Sequence, residues 1–185
     1  MILPIYLYGT PVLREQAREI DPATYPELQK LIDDMFETML QADGVGLAAP
    51  QIGLPIRLFC IDLTPVANEL PKGMPLRQVF INAEIYERGG ANIKMNEGCL
   101  SLPGLNEDVV RPSNIRIRYI DEHLQPRDEA FDGYPARVIQ HEYDHTDGMV
   151  FTDRIAPLRK NLIKSKLAAF VKGKYRASYR CKAAK

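Results

Sequence analysis

The stretch Asp132-Gly133-Tyr134-Pro135-Ala136-Arg137-Val138-Ile139-Gln140-His141-Glu142-Tyr143-Asp144-His145-Thr146-Asp147-Gly148 governs how the rest of the chain is read. Asp132 can cap a helix, Pro135 falls in the first turn where its missing N–H does no harm, and Gly148 ends the run. Ala136, Val138, Ile139 and Tyr143 give that helix apolar residues to bury. His141 and His145 stand four residues apart, about 40° around the helix axis, so both imidazoles can reach one metal ion. Glu142 sits beside them, where a carboxylate can act as general base toward water. The plainer alternative, two solvent-facing histidines on a charged helix, is disfavoured because the chain has only 3 histidines and two fall at this spacing around a glutamate.

Two protein ligands are too few, since a catalytic site of this kind usually has three and an open position. Downstream of the helix nothing suits. Phe151 occupies the place of a third histidine, no glutamate follows Glu142, Asp147 is too near the helix end, and Asp153 is the only other carboxylate. Upstream, His123 and Cys99 are the candidates. His123 lies in Asp121-Glu122-His123-Leu124, a polar turn, which reads as surface. Cys99 lies in Glu97-Gly98-Cys99-Leu100-Ser101-Leu102-Pro103-Gly104, at a strand end where glycines permit close approach. A lone cysteine in a strand is more often a small buried apolar residue, which is how Cys60 reads. Cys99 is favoured as the third ligand.

Outward from this helix the chain reads as α+β. A helix is expected over about 26–41, with Leu28, Leu31, Ile32, Met35, Phe36, Met39 and Leu40 as its apolar stripe, a capping box from Thr24 and Glu27, and a stop at Asp43-Gly44. Strands are expected over 57–63, 79–86, 93–100 and 115–121, the last alternating Ile115, Ile117, Tyr119 against Arg116 and Arg118. Residues 44–53 read as a loop of small residues and 64–74 as a surface loop. A final helix is expected over about 157–172, docked by Leu158, Leu162, Ile163, Leu167 and Phe170.

With 185 residues and 45% hydrophobic content, one domain with its own core is expected. No apolar run approaches the ~20 residues of a membrane span. Met1-Ile2-Leu3-Pro4 lacks the basic start of a secretory signal, and three scattered cysteines make no disulfide framework. A reduced cytoplasmic protein is expected. The net charge of zero conceals a split: residues 1–153 hold 13 basic and all 24 acidic residues, whereas residues 154–185 hold 11 basic and no acidic ones. Such a basic end suits a polyanion or is simply a solvated helix.

Three segments in register carry a family likeness: Gly44 to Gly53, containing Gly46-Leu47-Ala48-Ala49-Pro50-Gln51; Glu97 to Leu102; and Gln140 to Gly148. The sequence resembles the peptide deformylases, which remove the formyl group from the initiator methionine of nascent bacterial and organellar proteins. The likeness covers about residues 1–172, expected as one catalytic domain, with 173–185 as a basic tail. Thr146 departs from the family's usual leucine, and the loop between Leu63 and Val79 is long. The resemblance implies antiparallel or mixed sheets packed around the metal-binding helix, flanked by an N-terminal and a C-terminal helix. It implies that Cys99, His141 and His145 hold one divalent metal ion, Fe²⁺ in the cell and often Zn²⁺, Ni²⁺ or Co²⁺ after purification. Glu142 would then act as general base and acid, with the Gln51 amide and the Leu100 N–H stabilising the oxyanion.

An N-formylmethionyl nascent peptide is the substrate implied. It would lie as a strand beside Gly44, Val45 and Gly46, with its methionine in an apolar pocket lined by Val45, Val138 and His141. Helical phase puts Arg137 toward solvent, and Arg111 either steadies the strand edge or pairs with Glu97. The basic tail suits ribosomal RNA, and no membrane partner is expected. Two other readings stay open on the residues alone: a metallopeptidase using the same helix, and a ribosome-binding module with a structural metal. Cys99 in its motif speaks against the first, and the absence of a fourth ligand against the second.

Overall fold

The computed structural model describes residues 1–184. Its elements in chain order are β1 (Ile5–Tyr6), α1 (Leu28–Gln41), β2 (Gly46–Ala48), β3 (Leu58–Asp62), β4 (Arg77–Gly98), β5 (Asn106–Ile120), β6 (Pro126–Asp132), α2 (Gly133–Thr146), α3 (Pro157–Val171) and β7 (Cys181–Lys182). Strands β2-β3-β4-β5-β6 form one antiparallel sheet in chain order, and β1 pairs in parallel with β7. The fold is α+β, as expected.

β3 explains why both sheet faces are covered. Leu58 and Cys60 join Leu28, Ile32, Met35, Phe36 and Met39 of α1 in one core. Phe59 and Ile61 point the other way, into a core with Phe80, Ile117 and Tyr119 and with Ala136, Ile139 and Tyr143 of α2. The strict alternation of a strand sends neighbouring residues to opposite faces, so a run such as Leu-Phe-Cys-Ile must be buried on both. Phe59 and Phe80 stack at 4.7 Å between ring centroids. A third core under α3 joins Leu102, Leu105 and Val109 to Phe151, Ile163 and Phe170.

Several expectations are corrected. The strands anticipated over 79–86 and 93–100 are one element of 22 residues. The Gly89-Gly90 pair between them is a bulged stretch still paired with β5, not a turn. Gly90 has φ +75°, and a Cβ there would lie 2.9 Å from the Asn114 side-chain oxygen. β5 begins at Asn106, well before the expected Ile115, and β6 was not anticipated at all. Residues 44–53 contain strand β2 followed by a 3₁₀ turn at Ala49–Ile52.

The helices begin within two residues of expectation, but their caps and faces differ. Glu27 takes a left-handed conformation at φ +51° and no capping box forms with Thr24. Leu40 is 69% exposed, while Asp34 and Thr38 are buried on α1 instead. Asp34 receives the Met1 ammonium and Lys30, and Thr38 accepts from Leu3 N–H. On α3 only Ile163 and Phe170 are buried; Leu158 and Leu162 are 72% and 62% exposed. Asp132 stands at the N-cap position of α2 without making a side-chain cap hydrogen bond.

Candidate active site

α2 runs through the middle of the molecule, and every residue from Pro135 to Thr146 is buried. His141 and His145 project from one face with ring centroids 5.3 Å apart. The β4–β5 hairpin brings Cys99 to that face, just past the end of β4. Cys99 Sγ lies 3.4 Å from His145 Nε2, and one ligand atom from each of Cys99, His141 and His145 falls within 4.8 Å of the others. The downstream carboxylates are engaged elsewhere, Asp147 with Arg57 and Asp153 with Arg14. His123 is exposed in its turn, as expected, with Asp121 accepting from its backbone N–H.

Glu97 ties this cluster to the body. Its Oε1 lies 2.8 Å from His141 Nδ1, while Arg111 donates to both carboxylate oxygens and Arg137 to Oε2. Burial by itself would raise the Glu97 pKa, but the hydrogen bonds from His141 and Arg111 hold it well below the usual range. An ionised carboxylate only accepts, so the proton is assigned to His141 Nδ1, and Nε2 is left for the cluster. Arg111 reaches on to Asp144, which Arg154 grips with two further hydrogen bonds. Arg137 does not face solvent. It is 6% exposed and also donates to Val109 O and Ile93 O.

The electrostatics favour positive charge between the thiol and the imidazole. Burial would lower the His141 pKa, yet hydrogen bonds with Cys99 and Glu97 raise it well above its ordinary value. His145 is pushed down to about 3 by burial and by its neighbour His141, so its ring stays neutral. A cation held by a thiolate and two neutral imidazoles meets the same demand, and the S,N,N donor set suits a transition metal. Burial pushes Glu142 up to about 7, against the pull of His141. Glu142 Oε2 is buried and finds no hydrogen-bond partner among the described residues. This orphaned carboxylate oxygen beside the cluster fits a site built to receive an ion and a water.

Two glycines make room here. A Cβ on Gly46 would lie 2.7 Å from Glu142 Cδ, and one on Gly44 would lie 2.8 Å from Leu100 Cδ1. Gln51, in the turn after β2, accepts from Ala48 N–H and directs its amide nitrogen to Cys99 Sγ at 3.4 Å and Ser101 Oγ at 3.2 Å. Leu100 O accepts from the Tyr179 hydroxyl. Gly44, Val45, Gly46, Gln51, Cys99, Leu100, Val138, His141 and Glu142 all border one cavity of about 530 Å³. Of the two roles open to Arg111, pairing with Glu97 is the one found; sequence reasoning missed its onward link to Asp144, Ser101 and the C-terminal residues at the cavity, and only the position of Asp144 within the motif offered a signal. A groove of about 680 Å³ between the 66–74 loop and the β5–β6 edge holds no comparable cluster.

The family described as polypeptide deformylase matches residues 2–161. The peptide deformylase of Christiangramia forsetii is 51% identical over 187 aligned positions, covering 97% of this chain and 95% of that protein. That of Flavobacterium johnsoniae is 49% identical, covering 98% and 96%. The crystal structure of peptide deformylase from Thermus thermophilus superimposes with a TM-score of 0.81 at 41% identity, covering 94% of this chain and 99% of that one.

Proposed function

The chain belongs to the polypeptide deformylase family and is a hydrolase acting on the N-formyl group of nascent peptides, and we propose that it works through one divalent metal ion held by Cys99, His141 and His145. The observation that carries this reading is the convergence of those three side chains beside the unpartnered Glu142 carboxylate. Fe²⁺ is the ion we assign in the cell, with Zn²⁺, Ni²⁺ or Co²⁺ able to replace it in purified protein.

When bound, the ion supplies Lewis acidity, polarising the formyl oxygen and making water a better nucleophile. Glu142 takes a proton from the attacking water as its oxygen adds to the formyl carbon, and returns it to the leaving amine nitrogen as the C–N bond breaks. Formate and a free amino terminus result. A thiolate ligand donates charge and tempers the ion, so hydrogen bonds to the developing oxyanion matter more. The Gln51 amide and the Leu100 N–H are the donors we assign.

The substrate lies as an added strand. β2 is the edge strand of the five-stranded sheet, and residues 44–46 border the cavity. Backbone pairing along Gly44, Val45 and Gly46 tolerates varied sequences, while Val45 and Val138 offer the methionine side chain apolar contact. We place the reacting groups within residues 1–172, with 176–179 bordering their cavity, and assign a cytoplasmic location, where nascent chains are met. No helix is long and apolar enough to cross a membrane. The cations from Arg154 onward, among them the exposed Lys164, Lys166 and Lys172, offer ribosomal RNA salt-sensitive phosphate contacts.

The test is formate release from formyl-Met-Ala-Ser by metal-replete protein purified without oxygen. Release that is lost in Glu142→Ala, with metal content retained, is expected. Absence of release from metal-replete protein would overturn the reading.

A further inference from the structure

The chain does not end where α3 ends. Gly173, at φ +71°, turns it back, with Gly173 N–H donating to Phe170 O and Lys174 N–H to Ala169 O. The segment is then fixed again at its far end, where Ile5 N–H donates to Arg180 O and Leu7 N–H to Lys182 O. Between these two anchors, Arg176, Ala177, Ser178 and Tyr179 form part of the cavity that holds Cys99, His141 and Glu142. The Tyr179 hydroxyl donates to Leu100 O at 2.8 Å, a third attachment in the middle. Four residues of the C-terminal segment therefore sit against the site, held by backbone and side-chain bonds rather than lying loose.

The charges around this cavity are unevenly placed. Glu97 and Arg137 are buried and paired with each other, and His141 and Glu142 lie at the reacting centre. Asp43 and Arg176 are the exposed charged residues of the lining. Arg176 belongs to the segment bracketed by Lys174 and Arg180, which are also exposed. An extended chain that runs from the site along segment 176–179, advancing about 3.3 Å per residue, meets Arg176, whereas Asp43, of opposite sign, belongs to the turn after α1.

We propose that the C-terminal segment 176–179, latched to Leu100 by Tyr179, is a wall of the substrate cleft, and that Arg176 selects peptides carrying an acidic side chain shortly after the formylmethionine. This rests on the deformylase reading of the site and adds to it a substrate preference written in the C-terminus. The wall leaves backbone pairing along β2 untouched, so the preference is graded rather than absolute.

The test uses formyl-Met-Ala-X-Ala-amide peptides with X as Glu, Gln or Lys, on the full-length holoenzyme at low salt. The expected order of kcat/KM is Glu, Gln, Lys, with about two- to fivefold between the ends, the range an exposed ion pair supplies. The difference should lie in KM and shrink in 0.5 M NaCl, where the screening length is only a few ångströms. Arg176→Glu should reverse the order, and Tyr179→Phe, which frees the wall, should bring the ratio toward one. A charge-indifferent wild type, or a preference that survives Arg176→Glu, overturns the proposal. Kd values of the same peptides for metal-loaded Glu142→Ala protein read the wall without catalysis. A charge preference in binding with no turnover by the wild type would sink the reaction and leave the wall standing; binding indifferent to X would sink the wall alone.

Discussion

Glu97 accepts the Nδ1 proton of His141 at 2.8 Å while the same carboxylate is clamped by Arg111. One side chain thus sets the tautomer of a histidine proposed as a metal ligand and pairs with two buried guanidiniums, of which Arg111 is shared with Asp144. Glu97→Gln keeps the shape and loses the charge. It should weaken metal affinity or activity by about 10- to 100-fold, the usual cost of losing such a partner behind a ligand. Both Glu97→Gln and Glu97→Ala should in addition destabilise the fold by about 3–5 kcal/mol, because either leaves Arg111 and Arg137 buried without this negative charge. Metal titration and chemical denaturation of both variants read the two effects; a Glu97→Gln variant as stable as wild type would refute the charge argument.

Gly46 lies against Glu142 so closely that a Cβ would sit 2.7 Å from the carboxyl carbon. Gly46→Ala should therefore displace Glu142 rather than disturb β2, whose pairing with β3 uses only backbone. A displacement on the order of 1 Å in a catalytic group costs about 100-fold in rate. The check is kcat with thermal stability and metal content measured in parallel; a full rate would show that Glu142 has room to spare.

How far the chain could be read without coordinates follows the range of the interactions. The helix that carries the proposed metal ligands is legible because His141, Glu142 and His145 carry their own spacing, and Cys99 because glycine marks its strand end. Arg137 was misplaced because its partners, Glu97, Ile93 and Val109, lie 28 to 44 residues away in sequence. Helical phase alone cannot show a buried carboxylate waiting across the core. The long β4 was split for a similar reason: Glu87-Arg88-Gly89-Gly90 lacks alternation, and only pairing with β5 holds it extended. Leu158 and Leu162 look like core on a helical wheel, yet α3 fully buries only Ile163 and Phe170.

α3 is also fastened by charge. Arg159 donates two hydrogen bonds to Glu107 of β5. That pairing lowers the Glu107 pKa from its ordinary value of 4.5. A carboxylate whose folded pKa lies below its unfolded one stabilises the fold above the unfolded value and loses that contribution as pH falls through the folded one. Arg159→Ala should thus melt at a lower temperature than wild type at pH 7, and the gap should begin to narrow below the ordinary carboxylate value and go on closing as pH falls through the folded one. A gap independent of pH would mean that Arg159 acts through packing instead.

The three thiols should respond differently to metal removal. Cys60 is buried in the core between α1 and the sheet, and burial pushes its thiol far above the ordinary range. Cys181 is pushed up to about 11, again by burial. Cys99 borders the open cavity, within 3.4 Å of both His145 and the Gln51 amide. Because the thiolate is the reactive form, neither Cys60 nor Cys181 should be alkylated readily at pH 7.5 in folded protein. Bound metal should shield Cys99, and chelation should expose it, so that mass spectrometry after brief iodoacetamide treatment finds one modification, at Cys99, only in the chelated sample. Metal returned before the alkylating agent should prevent it. Labelling of Cys99 at the same rate with and without metal would remove the thiolate from the ligand set, and His141 and His145 would then need another partner.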